Sequence, residues 1–277
     1  MADVRVDRLL HLLTLEPTAA ADAFRAPVPD EGPERLFGGH VAAQALRAAT
    51  LTVDDDRPPH SLHAYFIRPG RLGDPLELRV DRTRDGRSFT TRRVEVNQSG
   101  ETIFVLAASF AAAEEGDDWQ LPAPTNVPDP DEVGGGESPI SKFTAMSPFE
   151  LRPVVAPAPG EFPIIHPFWV RTVGPLPDDA AVHACALTYM SDMGVVGSAR
   201  APVSTLPKMF MGASLDHAVW FHRPVRADEW LLFSVDPVSN AASRGLARGT
   251  FHTAEGVLVA SVAQEALLRS TGRTPLP

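Results

Sequence analysis

An internal duplication constrains the fold of this chain more than any other feature of its sequence. The segment HSLHAYFIRPG at 60–70 is echoed by SLDHAVWFHRPV at 214–225. Each copy is followed by strand-like runs, the last of which comes after a glycine turn. The paired runs are 76–80 with 230–235, 84–96 with 239–251, and 102–110 with 257–269. Two copies favour a pair of pseudo-symmetric units over a solenoid, which needs three or more repeats.

An alanine-rich helical segment precedes the strands in each copy, at 38–51 and at 178–192. Each half therefore predicts one helix followed by long antiparallel strands, which is the hotdog arrangement. We predict an α+β fold, a tandem (double) hotdog of two antiparallel sheets, each wrapped around a central helix. The predicted domains are 1–113 and 148–277. Between them, 114–147 is rich in proline, glycine and acids, and it predicts a surface linker.

Charge, cysteine and histidine content exclude several classes of protein. A net charge of −10 disfavours nucleic acid or an anionic membrane as the main partner, so an anionic ligand needs a local cluster of arginines. Cys185 is the only cysteine, which excludes an intrachain disulfide and is typical of a reducing compartment. The nine histidines form no HExxH motif and no Cys/His cluster, so we expect no metal.

The amino-terminal segment predicts a short amphipathic helix that Pro17 stops. Its apolar positions are Val6, Leu9, Leu10 and Leu13. The apolar runs are too short for a signal peptide or a membrane anchor. We therefore expect a cytoplasmic protein.

Asp192 is a polar residue on an apolar helical stripe. The stripe consists of Val182, Cys185, Ala186, Tyr189, Met193 and Val196 at three-to-four spacing. An unpaired buried polar group costs about 1–3 kcal/mol, so a carboxylate here needs donors and is a candidate general base or water anchor. The alternative is an aspartate at a frayed helix end, facing solvent just before Gly194.

Gln264 is the one polar residue on the apolar face of the last strand. The other members of that face are Leu258, Ala260, Val262, Ala266 and Leu268. An inward amide can donate to and accept from a water or a carbonyl, which suits holding a nucleophile. The alternative is an amide that caps backbone groups where the strand ends.

Ser214 opens the strand of the second duplicated segment. The chain has no GxSxG motif, so a serine nucleophile is poorly supported, whereas a hydroxyl that orients a water is plausible. Strict alternation places Ser214 on the face of Asp216 and opposite His217. We predict that His217 is a buried structural histidine, and that Asp216, His222 and Arg223 fix the strand against its neighbour.

Gly38 and Gly39 begin the first alanine-rich helix. The N–H groups and the dipole at such a helix start could polarise a carbonyl oxygen. The alternative is a glycine pair that only lets the preceding strand turn into the helix.

Seven segments together resemble the type II acyl-CoA thioesterase family, in order and spacing, over most of the chain outside the linker. They are RLFGGHVAAQAL, HSLHAYFIRPG, RDGRSFTTRRVEV, LTYMSD, SLDHAVWFHRP, ASRGLARG and GVLVASVAQEALLR. The resemblance implies a tandem hotdog that hydrolyses acyl-CoA to a free fatty acid and coenzyme A. It also implies a homo-oligomer, dimeric or larger, and no cofactor, because coenzyme A is part of the substrate.

The family's catalytic set is an aspartate, a threonine or serine, and a glutamine, which hydrogen-bond one water. The resemblance carries these roles onto Asp192, Ser214 and Gln264, in the C-terminal domain. The commoner family member has threonine where Ser214 stands. A second departure is His40, since glutamine usually follows the glycine pair. Neither change removes a required functional group.

In the expected mechanism this water attacks the thioester carbonyl, and Asp192 accepts its proton. Backbone N–H groups at Gly39 and His40 are expected to stabilise the oxyanion. The phosphates of coenzyme A are expected near arginines of the first half. These arginines are Arg84, Arg87, Arg92 and Arg93.

Two alternatives stay open at this point. A hotdog enoyl-CoA hydratase would use a His/Asp pair, for which only His40 or His63 could serve. A non-catalytic acyl-CoA binding protein would bind the same ligand without releasing a thiol.

Overall fold

The computed structural model describes residues 3–29, 35–133, 147–155, 166–200 and 210–270. The helices in these ranges are α1 (Val4–Leu12), α2 (Gly38–Thr50), α3 (Ala180–Met190) and α4 (Val195–Ser198). The strands of the first half are β1 (Glu16–Pro17), β2 (Ala23–Ala26), β3 (Pro59–Phe66), β4 (Leu76–Asp85), β5 (Phe89–Gln98) and β6 (Glu101–Ala111). Those of the second half are β7 (Phe149–Pro153), β8 (Phe168–Thr172), β9 (Phe210–Ser214), β10 (Asp216–Phe221), β11 (Leu231–Ala241), β12 (Arg244–Thr253) and β13 (Leu258–Ser270).

The strands of the described residues form one antiparallel sheet. Its order is β1-β2-β4-β5-β6-β3-β10-β13-β12-β11-β8-β7, and β9 pairs with β13 beyond the end of β10. The run β4-β5-β6-β3 is mirrored by β11-β12-β13-β10, so the two copies of the duplicated sequence fold alike. Strands β3 and β10 join the halves, with His63 opposite Ala218. The sheets of the two halves therefore meet edge to edge.

Helices α2 and α3 pack against each other in opposite directions. The start of α2 meets the end of α3, where the Gly39 N–H donates to Asp192. At the other end Arg47 of α2 forms a 3.6 Å ion pair with Asp179, which caps α3. The helices and the sheet share one apolar core that includes residues of both halves.

Strand β13 shows the alternation that its sequence predicts. Leu258, Ala260, Val262, Gln264, Ala266 and Leu268 are all buried. The residues between them are more exposed, apart from Val259. The strand therefore presents Gln264 on the core face of the sheet.

The amino-terminal helix forms as predicted, although it ends earlier than Pro17. Asp3 caps α1 by accepting from the Arg5 N–H at 2.9 Å, and the helix ends at Leu12. Pro17 instead lies in the short strand β1. No helix in the described ranges is long and apolar enough to cross a membrane.

The first part of the predicted linker runs along the second half of the protein. Gln120 bonds the Gly256 carbonyl at 2.8 Å and the Leu258 N–H at 3.0 Å. Farther along, the Pro128 carbonyl accepts from the Trp169 indole at 3.0 Å. Residues 134–146 of the predicted linker lie outside the described residues.

Candidate active site

Asp192 lies in the turn between α3 and α4, and it is only 6% exposed. The helix ends at Met190, and Gly194, at φ +75°, turns the chain into α4. One carboxylate oxygen (Oδ2) accepts from the Gly39 N–H at 2.9 Å, and the other (Oδ1) from the Ser214 hydroxyl at 3.3 Å. Asp192 is therefore a buried, hydrogen-bonded carboxylate, and the alternative of a solvent-facing helix end is wrong.

Burial raises the pKa of the Asp192 carboxyl from its usual 3.8 to about 6. Hydrogen bonds from Gln264, the Gly39 N–H and Ser214 favour the charged form and oppose this rise. The carboxylate is thus mostly ionised at neutral pH, yet it is more basic than an exposed aspartate. Such a pKa suits a general base that works near neutral pH.

The glycine pair at the start of α2 allows the first half to approach this carboxylate. A Cβ on Gly38 would lie 2.7 Å from Asp192 Oδ2 and equally close to the Phe66 ring. A Cβ on Gly39 would collide with the Tyr189 carbonyl of α3. The pair therefore does more than turn the chain, because only glycine lets the helix start contact Asp192.

Gln264 and Ser214 meet on neighbouring strands. The Gln264 amide Nε2 donates to Ser214 Oγ at 2.9 Å, and Gln264 is fully buried. Together with Asp192, these side chains bring a carboxylate, a hydroxyl and an amide from a helix end and two strands into direct hydrogen-bond contact. The alternative reading of Gln264 as a cap of strand-end backbone groups is wrong, because its described partners are side chains.

A bulge between β9 and β10 changes which side chains face Gln264. Ser214 lies opposite Ala266, whereas Ala218 lies opposite Ala263, so one extra residue is inserted around Leu215. This residue places Ser214 and His217 on the same face, and the strict alternation that separated them is wrong. A bulge is recognised from the pairing register of the two strands, so the sequence pattern alone does not locate it.

His217 contacts Gln264 directly, which the sequence analysis missed. Its Nδ1 lies 2.5 Å from Gln264 Oε1, and its Nε2 lies 2.7 Å from the Ser191 hydroxyl. Burial lowers the pKa of His217 to about 4, so the ring is neutral at physiological pH. It is a buried histidine, as predicted, but its partner is a residue of the candidate site.

Aromatic side chains form an apolar wall beside the carboxylate. Tyr189 packs against Phe37 and Phe149, with ring centroids 5.1 and 4.9 Å apart. Burial, and next the charge of Asp192, raise the pKa of the Tyr189 hydroxyl to about 12. The wall adjoins the carboxylate through Tyr189.

The predicted oxyanion donors are both engaged. The Gly39 N–H donates to Asp192, and the His40 N–H donates to the Phe37 carbonyl at 3.1 Å. The His40 ring stacks on Tyr189, and its Nε2 has no partner among the described residues. His63, the other histidine of the hydratase alternative, is exposed and packs edge-on against Trp220 at 5.2 Å.

The predicted phosphate-binding arginines lie at or near the β4–β5 hairpin. Arg84 and Arg87 are exposed there, close to the end of α2 opposite the glycine pair. Helix α2 has 13 residues and is therefore roughly 20 Å long, so the hairpin lies far from the end of the helix that contacts Asp192. Arg92 is buried and bonds Thr52 and Asp85, so its guanidinium is not available to a phosphate.

The described residues contain no group of three or more His, Cys, Asp or Glu side chains that could hold a metal ion. The chemistry that the site itself offers is proton acceptance by a carboxylate whose neighbours are a hydroxyl and an amide. Such a set can bind and deprotonate a water next to an apolar surface.

Solved structures share this architecture. The crystal structure of acyl-CoA thioesterase II TesB2 from Mycobacterium marinum matches with a TM-score of 0.81 and 40% sequence identity, over 95% of this chain and 99% of that chain. A protein of unknown function with a hot dog fold from Alicyclobacillus acidocaldarius matches with a TM-score of 0.75 at 18% identity, over 97% of this chain and 99% of that chain. The fold is the predicted tandem hotdog.

Sequence comparisons identify the family. The family model for the acyl-CoA thioesterase N-terminal domain matches 25–111, and the one for acyl-CoA thioesterase matches 141–267. Acyl-coenzyme A thioesterase 8 of Rattus norvegicus is 35% identical in an alignment of 297 positions, which spans 98% of this chain and 92% of that protein. The chain belongs to the type II acyl-CoA thioesterase family.

Proposed function

We propose that the protein hydrolyses acyl-CoA to a free fatty acid and coenzyme A with a water that Asp192, Ser214 and Gln264 position. The observation that carries this proposal is the direct contact among the three side chains. Gln264 donates to Ser214 at 2.9 Å, and Ser214 donates to Asp192 at 3.3 Å. Family membership supplies the substrate class, since the matched relatives are named acyl-CoA thioesterases.

In this mechanism Asp192 is the general base. The 3.3 Å bond from Ser214 is the longest in the set, so it is the bond that an incoming water replaces most easily. Asp192 accepts a proton from the water as its oxygen attacks the thioester carbonyl, and Ser214 and Gln264 fix its position. Coenzyme A thiolate is a good leaving group, so one positioned water suffices without a covalent acyl-enzyme.

The N-terminus of α2 is our proposed oxyanion site. The helix dipole and the N–H groups of Gly39 and His40 favour negative charge there. Substrate must displace a bond that one of these groups already makes, such as the one from Gly39 to Asp192. The acyl chain then extends along the apolar wall formed by Phe37, Tyr189 and Phe149.

The phosphates of coenzyme A are placed by this proposal at Arg84 and Arg87. Both side chains are exposed cations in a chain of net charge −10. Their distance from the site, roughly 20 Å along α2, requires an extended pantetheine arm between the thioester and the phosphates. Charge reversal of both arginines should raise KM more than it lowers kcat.

Thiol release from acyl-CoA tests the proposed function. A thiol reagent suits this assay because burial raises the pKa of Cys185, the only cysteine, to about 12, so the folded protein gives little background. We expect Asp192→Asn to lower kcat by roughly two to four orders of magnitude. Asp228→Asn is the matched control, because Asp228 is a second buried carboxylate, bonded to Arg226.

Near-normal thiol release by Asp192→Asn would refute the role of that carboxylate. Release by neither wild type nor variant, despite acyl-CoA binding, would favour a binding protein. The hydratase alternative has no support in the placement of His63, whose ring is on the exposed side of the sheet. Monitoring enoyl absorbance in parallel checks this directly.

We further propose that the protein is a cytoplasmic homo-oligomer, dimeric or larger. The family resemblance supports the oligomer, and the single buried cysteine fits a reducing compartment. Sedimentation of the purified chain tests the first point, and a monomer mass at micromolar concentration contradicts it. Fractionation of cells that express the protein tests the second.

A further inference from the structure

His217 stands behind the candidate site rather than in it. Its Nδ1 lies 2.5 Å from Gln264 Oε1, on the side of the amide away from Ser214, and its Nε2 faces the Ser191 hydroxyl at 2.7 Å. The ring is only 1% exposed, and Ser191 and Gln264 are fully buried. Ser191 follows Met190 at the end of α3, directly before Asp192. A continuous row of hydrogen-bonded side chains thus starts and ends in the same turn. It runs from Ser191 through His217, Gln264 and Ser214 to Asp192.

We propose that His217 is a positioning residue that holds the Gln264 amide in the one orientation that lets Ser214 donate its proton to Asp192. The inference rests on the proposed function, because it gives Gln264 and Ser214 the role of holding the water. His217 itself does not contact the reacting atoms. It acts through Gln264.

A glutamine amide can be rotated by half a turn with almost no change of shape, so hydrogen-bond partners decide its orientation. With Oε1 toward His217, the amide Nε2 donates to Ser214, and the hydroxyl proton is left for Asp192. In the reversed orientation Oε1 would accept the hydroxyl proton. Asp192 would then lose that donor, and the water would lose a defined hydrogen-bond pattern.

The position of the single ring proton of His217 selects between these orientations. A neutral imidazole has one donor and one acceptor nitrogen. With its proton on Nδ1, the ring donates to Gln264 and must accept at Nε2 from Ser191. The Ser191 hydroxyl has two acceptors in reach, His217 Nε2 at 2.7 Å and the Thr188 carbonyl at 2.8 Å. If Ser191 donates its proton to His217, every hydrogen bond in the row is donated in the direction of Asp192.

The tautomer is the most direct test. In protein labelled with ¹⁵N-histidine, the ring nitrogen shifts of His217, assigned by comparison with His217→Asn, distinguish a proton on Nδ1 from one on Nε2. We expect the Nδ1–H form at neutral pH. A proton on Nε2 overturns the inference, whatever the enzyme's activity.

Steady-state kinetics test the consequence. We expect His217→Leu to lower kcat roughly tenfold to hundredfold with KM changed by less than about twofold. His217→Asn keeps an N–H donor near the Nδ1 position, and it should restore kcat to within roughly fivefold of wild type. His252→Leu, which removes a buried histidine from β12, is the control and should leave kcat unchanged in the folded fraction.

A double-mutant cycle separates positioning from general stability. If His217 acts through Gln264, then His217→Leu in a Gln264→Ala background should lower kcat by less than about twofold further. If the double variant instead shows the product of the two single losses in kcat, the inference is wrong. If His217→Leu does not fold, Ser191→Ala replaces it in the cycle, with an expected loss in kcat of roughly threefold to tenfold. A wild-type kcat for Ser191→Ala would then contradict the proposed role of this row of side chains.

The two proposals fail in different ways. Full turnover by Asp192→Asn defeats the proposed mechanism itself. If Asp192→Asn is inactive but His217→Leu has the wild-type kcat, the proposed mechanism is retained and only the role of His217 is refuted.

Discussion

Replacing Asp192 with asparagine should make the protein inactive and more stable. The folded structure buries this carboxyl and raises its pKa from 3.8 to about 6. A raised pKa means that the folded chain binds the proton more tightly than the unfolded chain does. Protonation therefore favours folding, and the ionised carboxylate opposes it at neutral pH.

The size of the effect follows from the pKa. A difference of about two pH units at about 1.4 kcal/mol per unit is about 3 kcal/mol. The stabilising effect of the proton is present in full below pH ~4, and it is lost as the pH rises through about 6. Asparagine keeps the shape and an acceptor for the Gly39 N–H without the charge. The variant should thus gain up to about 3 kcal/mol at pH 7, and this gain should vanish toward pH 4.

Urea denaturation at pH 7 and pH 4, alongside thiol release at pH 7, measures both halves of this prediction. We expect the free energy of unfolding to be higher for Asp192→Asn at pH 7 and equal to that of wild type near pH 4. Asp228→Asn is again the control, because the pKa of Asp228 is lowered in the folded protein by Arg226 despite its burial, and its loss should destabilise the chain. Equal or lower stability of Asp192→Asn at pH 7 would show that the ionised Asp192 carboxylate does not destabilise the folded protein.

Three further predictions concern the same site and its surroundings. The acid limb of kcat/KM should follow Asp192, with activity at pH 5 roughly a tenth of its plateau, whereas an aspartate of ordinary pKa would leave it nearly flat. Ser214→Thr should keep kcat within roughly tenfold and Ser214→Ala should lower it by more, and equal rates for the two would argue against a role for the hydroxyl. Gly39→Ala should lower kcat roughly a hundredfold or more while the chain still folds, because the added methyl group pushes α2 away from Tyr189 and Asp192. Steady-state kinetics measure the loss of kcat, and circular dichroism shows whether the variant folds.

The sequence predicts the repeating frame of the fold because the frame depends on local patterns. Alternating apolar residues define β13, and an alanine-rich stripe defines each central helix. The alternation of β13 also reveals Gln264, since a polar residue on an apolar face is visible without coordinates. Asp192 is marked less directly, because it lies in the turn after α3 and most residues of that helix are buried. The family resemblance, rather than pattern, singles out Ser214.

The features that the sequence does not give depend on register and on contacts between the halves. The bulge at Leu215 brings Ser214 and His217 to the same face, whereas alternation places them on opposite faces, and no local residue pattern marks it. Arg92 reads as one more exposed strand arginine, but in the structure it is buried against Thr52. The bond from Gly39 to Asp192 joins residues 153 positions apart, which a reading along the chain cannot pair.

That last bond has a consequence for how such a chain can change over generations. The three polar side chains all come from the second repeat, but the peptide N–H that grips the carboxylate comes from the first. A gene for the second repeat alone would encode all three proposed catalytic side chains but not the N–H group that bonds the carboxylate. The first repeat contributes backbone N–H groups rather than a reactive side chain, and this contribution depends on its glycine pair, where an added Cβ would collide with Asp192 or with the Tyr189 carbonyl.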